Sequence, residues 1–227
     1  MNKTLIVFLT CALSPLLAFA DENLDALKTK AEKGDAEAQV NLAGCYAKGI
    51  GVVKDQTKAV EWFKKAADQG NAKAQASLGL HYLLFPPNDY QKAAELFQKA
   101  AIQGVDMAQA YLGICYHEGF GVAKDGVKAI GWFQKAAAQG LDVAQHALAK
   151  CYLEGTGCTK NDVKAHVWLT LYAAQEHSFV APNQNQSIRE TISMIEKRMT
   201  PEQIAEARNL SVTYAELIKH GKPIPAP

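Results

Sequence analysis

Gly34-Asp-Ala-Glu-Ala-Gln39 returns as Gly70-Asn-Ala-Lys-Ala-Gln75, then as Gly104-Val-Asp-Met-Ala-Gln109 and Gly140-Leu-Asp-Val-Ala-Gln145. The spacings are 36, 34 and 36 residues. Self-similarity at a period of this size marks small supersecondary units that bury their apolar faces only by stacking on one another.

Each unit reads as two helices. The first carries Ala, Leu and Tyr at intervals of four (Ala38, Leu42 and Tyr46; Ala108, Leu112 and Tyr116), which places them on one helical face. It is expected to stop at Gly49, Gly119 or Gly155, where a residue without Cβ can take the left-handed conformation that closes a helix. The second helix is expected to open at Asp55, Asp89, Asp125 or Asn161, whose side chains accept from free first-turn amides. Its buried face reads as Ala59, Trp62, Phe63 and Ala66, echoed by Ala129, Trp132, Phe133 and Ala136, with Trp168 equivalent in the last unit.

On these residues the chain resembles the Sel1-like repeats, relatives of the tetratricopeptide repeat. The runs Gly49-Ile-Gly-Val-Val-Lys-Asp55 and Lys58-Ala-Val-Glu-Trp-Phe-Lys-Lys-Ala-Ala67 carry the resemblance, which extends over about Leu24 to Leu217. It implies an all-α, right-handed superhelical solenoid with C-terminal capping helices, used to recognise proteins. Roles known in the family include host interaction and adhesion, signalling scaffolds, and immunity proteins that neutralise toxic lipases. Some cysteine-rich relatives have been described as penicillin-binding or weak β-lactamase proteins. Those carry a cysteine pair in each repeat, whereas only the last repeat has one here, so a binding role is expected and a cell-wall enzyme is the rival.

The segmentation that follows is an export signal at 1–20, an N-terminal capping helix at 21–33, repeats at 34–69, 70–103, 104–139 and 140–175, and a C-terminal cap at 176–227. Two stretches depart from the repeat. Phe85-Pro86-Pro87-Asn88 replaces the Gly-x-Gly turn of the second repeat and reads either as a stiff loop presenting an aromatic ring or as an alternative tight turn. After Gln175, Ile188, Ile192, Ile195 and Met199 share a face, and Thr200-Pro201-Glu202-Gln203 has the form of a capping box with proline at the first helical position. These helices are expected to cover the open end of the stack.

Positions that drift among the repeats point to a partner face. They lie opposite the recurring Ala, Leu and Tyr of the first helices and form stripes: Glu37, Val40, Gly44 and Ala47; Lys73, Ala76, Leu80 and Leu83; Met107, Ala110, Ile114 and His117; Val143, His146, Lys150 and Leu153. By analogy with tetratricopeptide relatives this is the concave surface, and its apolar middle suits a helical or extended peptide segment. Burial of the same residues by curvature or by the tail is the competing reading. The partner is expected to be a protein: a bacterial toxin, an envelope protein or a host factor. The chain itself is expected to act as a monomer.

Composition restricts the alternatives. The 227 residues are 48% hydrophobic and 21% charged, enough for a packed core. Lys3, an uncharged apolar run from Leu5 to Phe19 and the small-x-small end Ala18-Phe19-Ala20 read as a signal cleaved after Ala20, placing the protein in the periplasm or outside the cell. Lys3 leaves with it, so the 24 Lys and Arg fall to 23 against 23 Asp and Glu. That balance argues against nucleic acid or an anionic membrane as partner.

Four cysteines then remain. Cys45, Cys115 and Cys151 fall at one repeat position, too far apart to bridge, where the second repeat has His81. Cys158 follows the turn that folds back on its own first helix, so a Cys151 to Cys158 disulfide is expected, with Cys45 and Cys115 as small buried hydrophobes.

Neither a nucleophile motif nor a zinc-protease motif nor a phosphate loop occurs, and the Gly-x-Gly turns follow helices, not strands. A metal held by His117 and His146 would lack carboxylate support. No catalytic set, metal or cofactor is expected.

Overall fold

The computed structural model describes residues 24–175 and 182–225, with side chains from Gln186 onward in the second stretch. The expected export signal therefore lies outside the described residues. Among these, eleven helices occur and no strand: α1 (Leu24–Glu32), α2 (Ala36–Lys48), α3 (Gln56–Asp68), α4 (Ala72–Leu84), α5 (Tyr90–Ile102), α6 (Asp106–Glu118), α7 (Gly126–Ala138), α8 (Asp142–Glu154), α9 (Asp162–Ala174), α10 (Pro182–Glu196) and α11 (Pro201–Lys219). The all-α repeat architecture expected from the sequence is present.

The expected boundaries match local chemistry. Asp55, Asp89, Asp125 and Asn161 each cap a second helix by accepting from the backbone N–H three residues on, at 2.9–3.0 Å. Gly49 and Gly155 close first helices in the left-handed conformation, φ 76° and 77°, with their N–H groups donating to the carbonyls of Cys45 and Cys151. Thr200 and Gln203 form the reciprocal capping box that starts α11. In the second repeat, α4 ends at Phe85 instead. Asn88 Nδ2 donates to Leu83 O at 2.7 Å and the Asp89 N–H to Tyr82 O at 3.0 Å, so the proline turn is closed by its own hydrogen bonds. Phe85 stays 38% exposed, its ring stacked on His81 at 5.2 Å between centroids.

The recurring glutamines are explained by burial. Gln39, Gln75, Gln109 and Gln145 are 1–6% exposed, and a buried amide must be hydrogen-bonded. Each oxygen accepts from a glutamine at the end of the following helix: Gln69 to Gln39 at 2.8 Å, Gln103 to Gln75 at 3.0 Å, Gln139 to Gln109 at 2.9 Å and Gln175 to Gln145 at 3.1 Å. Gln39 and Gln75 also donate backward, to the carbonyls of Ala31 and Ala67. These pairs bind helices together and are not a ligand site.

The chain divides into two compact units, Met1–Met107 and Ala108–Pro227. In the first, Leu27 and Ala31 of α1 pack with Ala38, Leu42 and Cys45 of α2, and Trp62 of α3 lies against them. A second cluster gathers Ala66, Ala67, Ala74 and Leu78, flanked by Phe63, Tyr82 and Leu96. Phe97 is fully buried, and a Cβ on Gly79 would come within 2.9 Å of its ring, so only glycine lets α4 and α5 approach this closely.

In the second unit one core runs from Phe133 and Leu148 through Cys151, Tyr152, Trp168 and Leu169 into the tail residues Ile188, Ile195, Met199, Ala207 and Tyr214. Both α10 and α11 pack on α9. The tail therefore covers the last repeat, with Ile192 only partly buried beside the three expected core positions.

One expectation about the second helices is corrected. Trp62 and Trp132 are half-buried, with Lys65 Nζ 3.8 Å and Lys135 Nζ 4.1 Å from the ring centroids. Only Trp168 is buried, at 3% exposure, because α11 brings Tyr214 to within 5.7 Å of it. The tryptophan position points to the rim of each helix pair and becomes core only where another helix closes over it.

Candidate functional site

The drifting stripe has members in both units. In the first, Lys73 is exposed and its ammonium sits 3.7 Å from Glu37 Oε2, while Asn71 Nδ2 donates to the same carboxylate at 3.2 Å. An exposed pair of this kind contributes little stability, which leaves both charges available to a partner. Ala76, Leu80 and Met107 are half-buried. Leu83 is not on the surface: it is 4% exposed, because the proline turn folds back over the end of α4 and Asn88 binds its carbonyl.

In the second unit, Ala110 is likewise withdrawn, at 3% exposure within the core. Ile114 is half-buried and packs against that core, as does Leu153. A lysine at Ile114 would thus report on folding more than on binding. Val143 is half-buried, and Lys150 is exposed and pairs with Glu154 at 3.7 Å. Leu83 and Ala110 are therefore core residues rather than contact residues. What remains for a partner in each unit is a half-open stripe of small and apolar side chains, edged by the Lys73–Glu37 pair in the first and by the Lys150–Glu154 pair in the second.

The histidines have structural surroundings. His146 lies against the Tyr172 ring at 5.2 Å, and its burial, aided by Lys150, lowers its pKa. His117 Nε2 is 3.5 Å from Glu118 Oε1, while its Nδ1 is buried without a hydrogen bond. Among the described residues no group of three His, Cys, Asp or Glu side chains is placed to hold a metal.

All four described cysteines are free thiols in this structure. Burial pushes Cys115 up to about 12, and burial together with the neighbouring Cys158 pushes Cys151 up to about 11. The Cys158 thiol donates toward Cys151 O at 3.7 Å, so the turn does bring residue 158 back onto the end of α8.

One feature escaped the sequence reading. A cleft of about 230 Å³ in the second unit is lined by Leu153, Lys160, Asp162 and Arg198. Arg198 reaches from beyond α10 to grip Asp162 with two hydrogen bonds, 3.0 Å from Nε and 2.8 Å from Nη2. The available signal was Asp162 itself, at a position where the other repeats carry Gln56, Tyr90 and Gly126. No helix of the described residues is long and apolar enough to cross a membrane.

Comparison with known proteins adds to this geometry. The Sel1 repeat family profile matches residues 36–71, 72–105, 106–141 and 142–177. The secretory immunoglobulin A-binding protein EsiB of Escherichia coli O6:H1 (strain CFT073) is 45% identical over 69 residues, 29% of this chain and 14% of that protein. The Arabidopsis thaliana ERAD-associated E3 ubiquitin-protein ligase component HRD3A is 38% identical over 63 residues, 27% of this chain and 9% of that protein. The matched stretch is therefore a small part of either relative. Among solved structures, c5321, a protective antigen present in uropathogenic E. coli strains, is 38% identical with a TM-score of 0.76, covering 88% of this chain and 42% of that one. A Sel1 repeat protein from Oxalobacter formigenes is 28% identical with a TM-score of 0.63, covering 74% and 76%.

Proposed function

This chain belongs to the Sel1 repeat family, and we propose on that footing that it is an exported binding module whose partner is a host protein. Sel1 repeat proteins act as protein-interaction modules and are typically non-catalytic scaffolds. The observation that carries the finer reading is the likeness to the uropathogenic antigen, at 38% identity across 88% of this chain. The similarity to an immunoglobulin-binding relative points the same way. Export rests on the reading of residues 1–20.

The half-open first-helix stripe of each unit is taken as a contact face. On each, apolar side chains supply burial and one charged pair supplies register, a division usual in protein interfaces. The contact residues are Lys73, Ala76, Leu80 and Met107 in the first unit, and Ile114, His117, Val143, His146 and Lys150 in the second.

The test uses full-length protein with secretory immunoglobulin A as first probe. Leu80→Lys and Lys150→Glu are the variants, because neither residue lies in the core. Binding that weakens at least about tenfold in either folded variant, about 1.4 kcal/mol, is the expected result. Binding unchanged in both would remove this face, and failure to bind any host extracellular protein would remove the host reading.

The Cys151 to Cys158 bridge belongs to the same reading of an oxidising location. Residues 21–227 isolated from the envelope, denatured without reductant, are expected to show two titratable thiols. Four would exclude the bridge.

A further inference from the structure

The last repeat carries a histidine where the others carry an apolar residue. His166 of α9 is equivalent to Val60, Ala94 and Ile130, and it is 2% exposed. An ionisable ring in a core position needs partners for both nitrogens, and it has them. Its Nε2 lies 3.1 Å from Glu196 Oε1 at the end of α10, and its Nδ1 lies 3.3 Å from Thr170 Oγ1. Arg208 of α11 donates to that same Glu196 oxygen at 2.9 Å.

One carboxylate oxygen thus joins three helices. Glu196 lies between an imidazole from α9 and a guanidinium from α11, and Arg198 with Asp162 forms a separate charged pair nearby. Besides this node and the Arg198–Asp162 pair, the tail is held by apolar burial, chiefly of Ile195, Ala207 and Tyr214.

We propose that the Thr170, His166, Glu196 and Arg208 node is an acid-sensitive latch on the C-terminal cap, and that its release uncovers the apolar face of α9 around Trp168. Protonation of Glu196 removes the charge that both neighbours share and leaves the buried His166 ring facing a neutral acid, with the Arg208 guanidinium at the exposed edge of the node.

The sign of the pH effect follows from Glu196. Hydrogen bonds from His166 and then Arg208 hold its pKa below the usual glutamate value. A carboxyl with a depressed folded-state pKa gives stability that is complete above its unfolded value and is lost as pH falls through the folded one. The latch is thus closed at neutral pH and opens in the acid range below about 4.5.

Hydrogen exchange on the full chain, expressed as protection relative to intrinsic rates, tests this at pH 7 and at steps down to pH 3.5. The expected result is that α10 and α11 lose protection severalfold before α8 and α9 do, and that Trp168 emission shifts to the red over the same steps. Glu196→Gln, which keeps the shape and removes the charge, is expected to lower cap protection about tenfold or more at pH 7, the size of one charge-assisted hydrogen bond, and to abolish the acid step. If Glu196→Gln fails to fold, the wild-type order of opening still decides. Loss of α8 to α11 together, or an acid step unchanged in Glu196→Gln, would overturn the proposal.

Discussion

Trp168→Ala is expected to cost about 3–5 kcal/mol and Trp132→Ala only about 1–2 kcal/mol, although the two tryptophans occupy equivalent positions of successive repeats. Trp168 is 3% exposed and lies between the body of the last repeat and Tyr214 of the tail, so truncation leaves a cavity with walls on every side. Trp132 has Lys135 over its ring at 4.1 Å and remains half-open, so water and the lysine stem can fill the space it leaves. Urea unfolding of the two variants, followed by far-UV circular dichroism, measures the difference. Equal losses would mean that α11 does not load the last repeat as described.

Gly157→Ala is expected to be the more damaging backbone change, at about 3 kcal/mol or more. Gly157 has φ 75°, and a Cβ there would run into the backbone of Gly126 and Val127 at the start of α7. Neither obstacle is a side chain that can rotate aside. The approach is mutual, since a Cβ on Gly126 would meet Gly157 N and Cα at 2.8 Å. Gly51 occupies the same turn position in the first repeat with φ 69°, yet its nearest neighbour is a leucine methyl at 3.5 Å. Gly51→Ala should therefore show only the left-handed conformational cost of about 1–2 kcal/mol. Thermal denaturation of both variants separates the two contributions, and comparable losses would show that conformation, not contact, sets the penalty.

Much of this structure was legible one repeat at a time. The helix starts at Asp55, Asp89, Asp125 and Asn161, the stops at Gly49 and Gly155 and the capping box at Thr200 all depend on groups within a few residues of one another. Local hydrogen bonding decides them, and a sequence displays it directly. The recurring glutamines were visible as a pattern, but their role was not: each amide is satisfied by a residue about 30 positions away.

The candidate face was legible only in outline. Offsets of three, seven and ten residues place Lys73, Ala76, Leu80 and Leu83 on one stripe, but they cannot say how far neighbouring segments rise over it. Leu83 and Ala110 fell on the expected stripe and proved to be core.

The sequence by itself determined the repeat, the helix pair within it, its caps and the family, because all of these follow from short-range backbone chemistry and from periodicity. The tertiary structure alone decided which equivalents of one position are buried. It made Trp168 core and left Trp62 and Trp132 at the rim, and it joined His166 to Glu196 and Arg208 and Asp162 to Arg198. The reason is that burial at a solenoid position depends on what packs against the repeat next, and the tail helices that cover the last repeat have no counterpart within the repeat pattern.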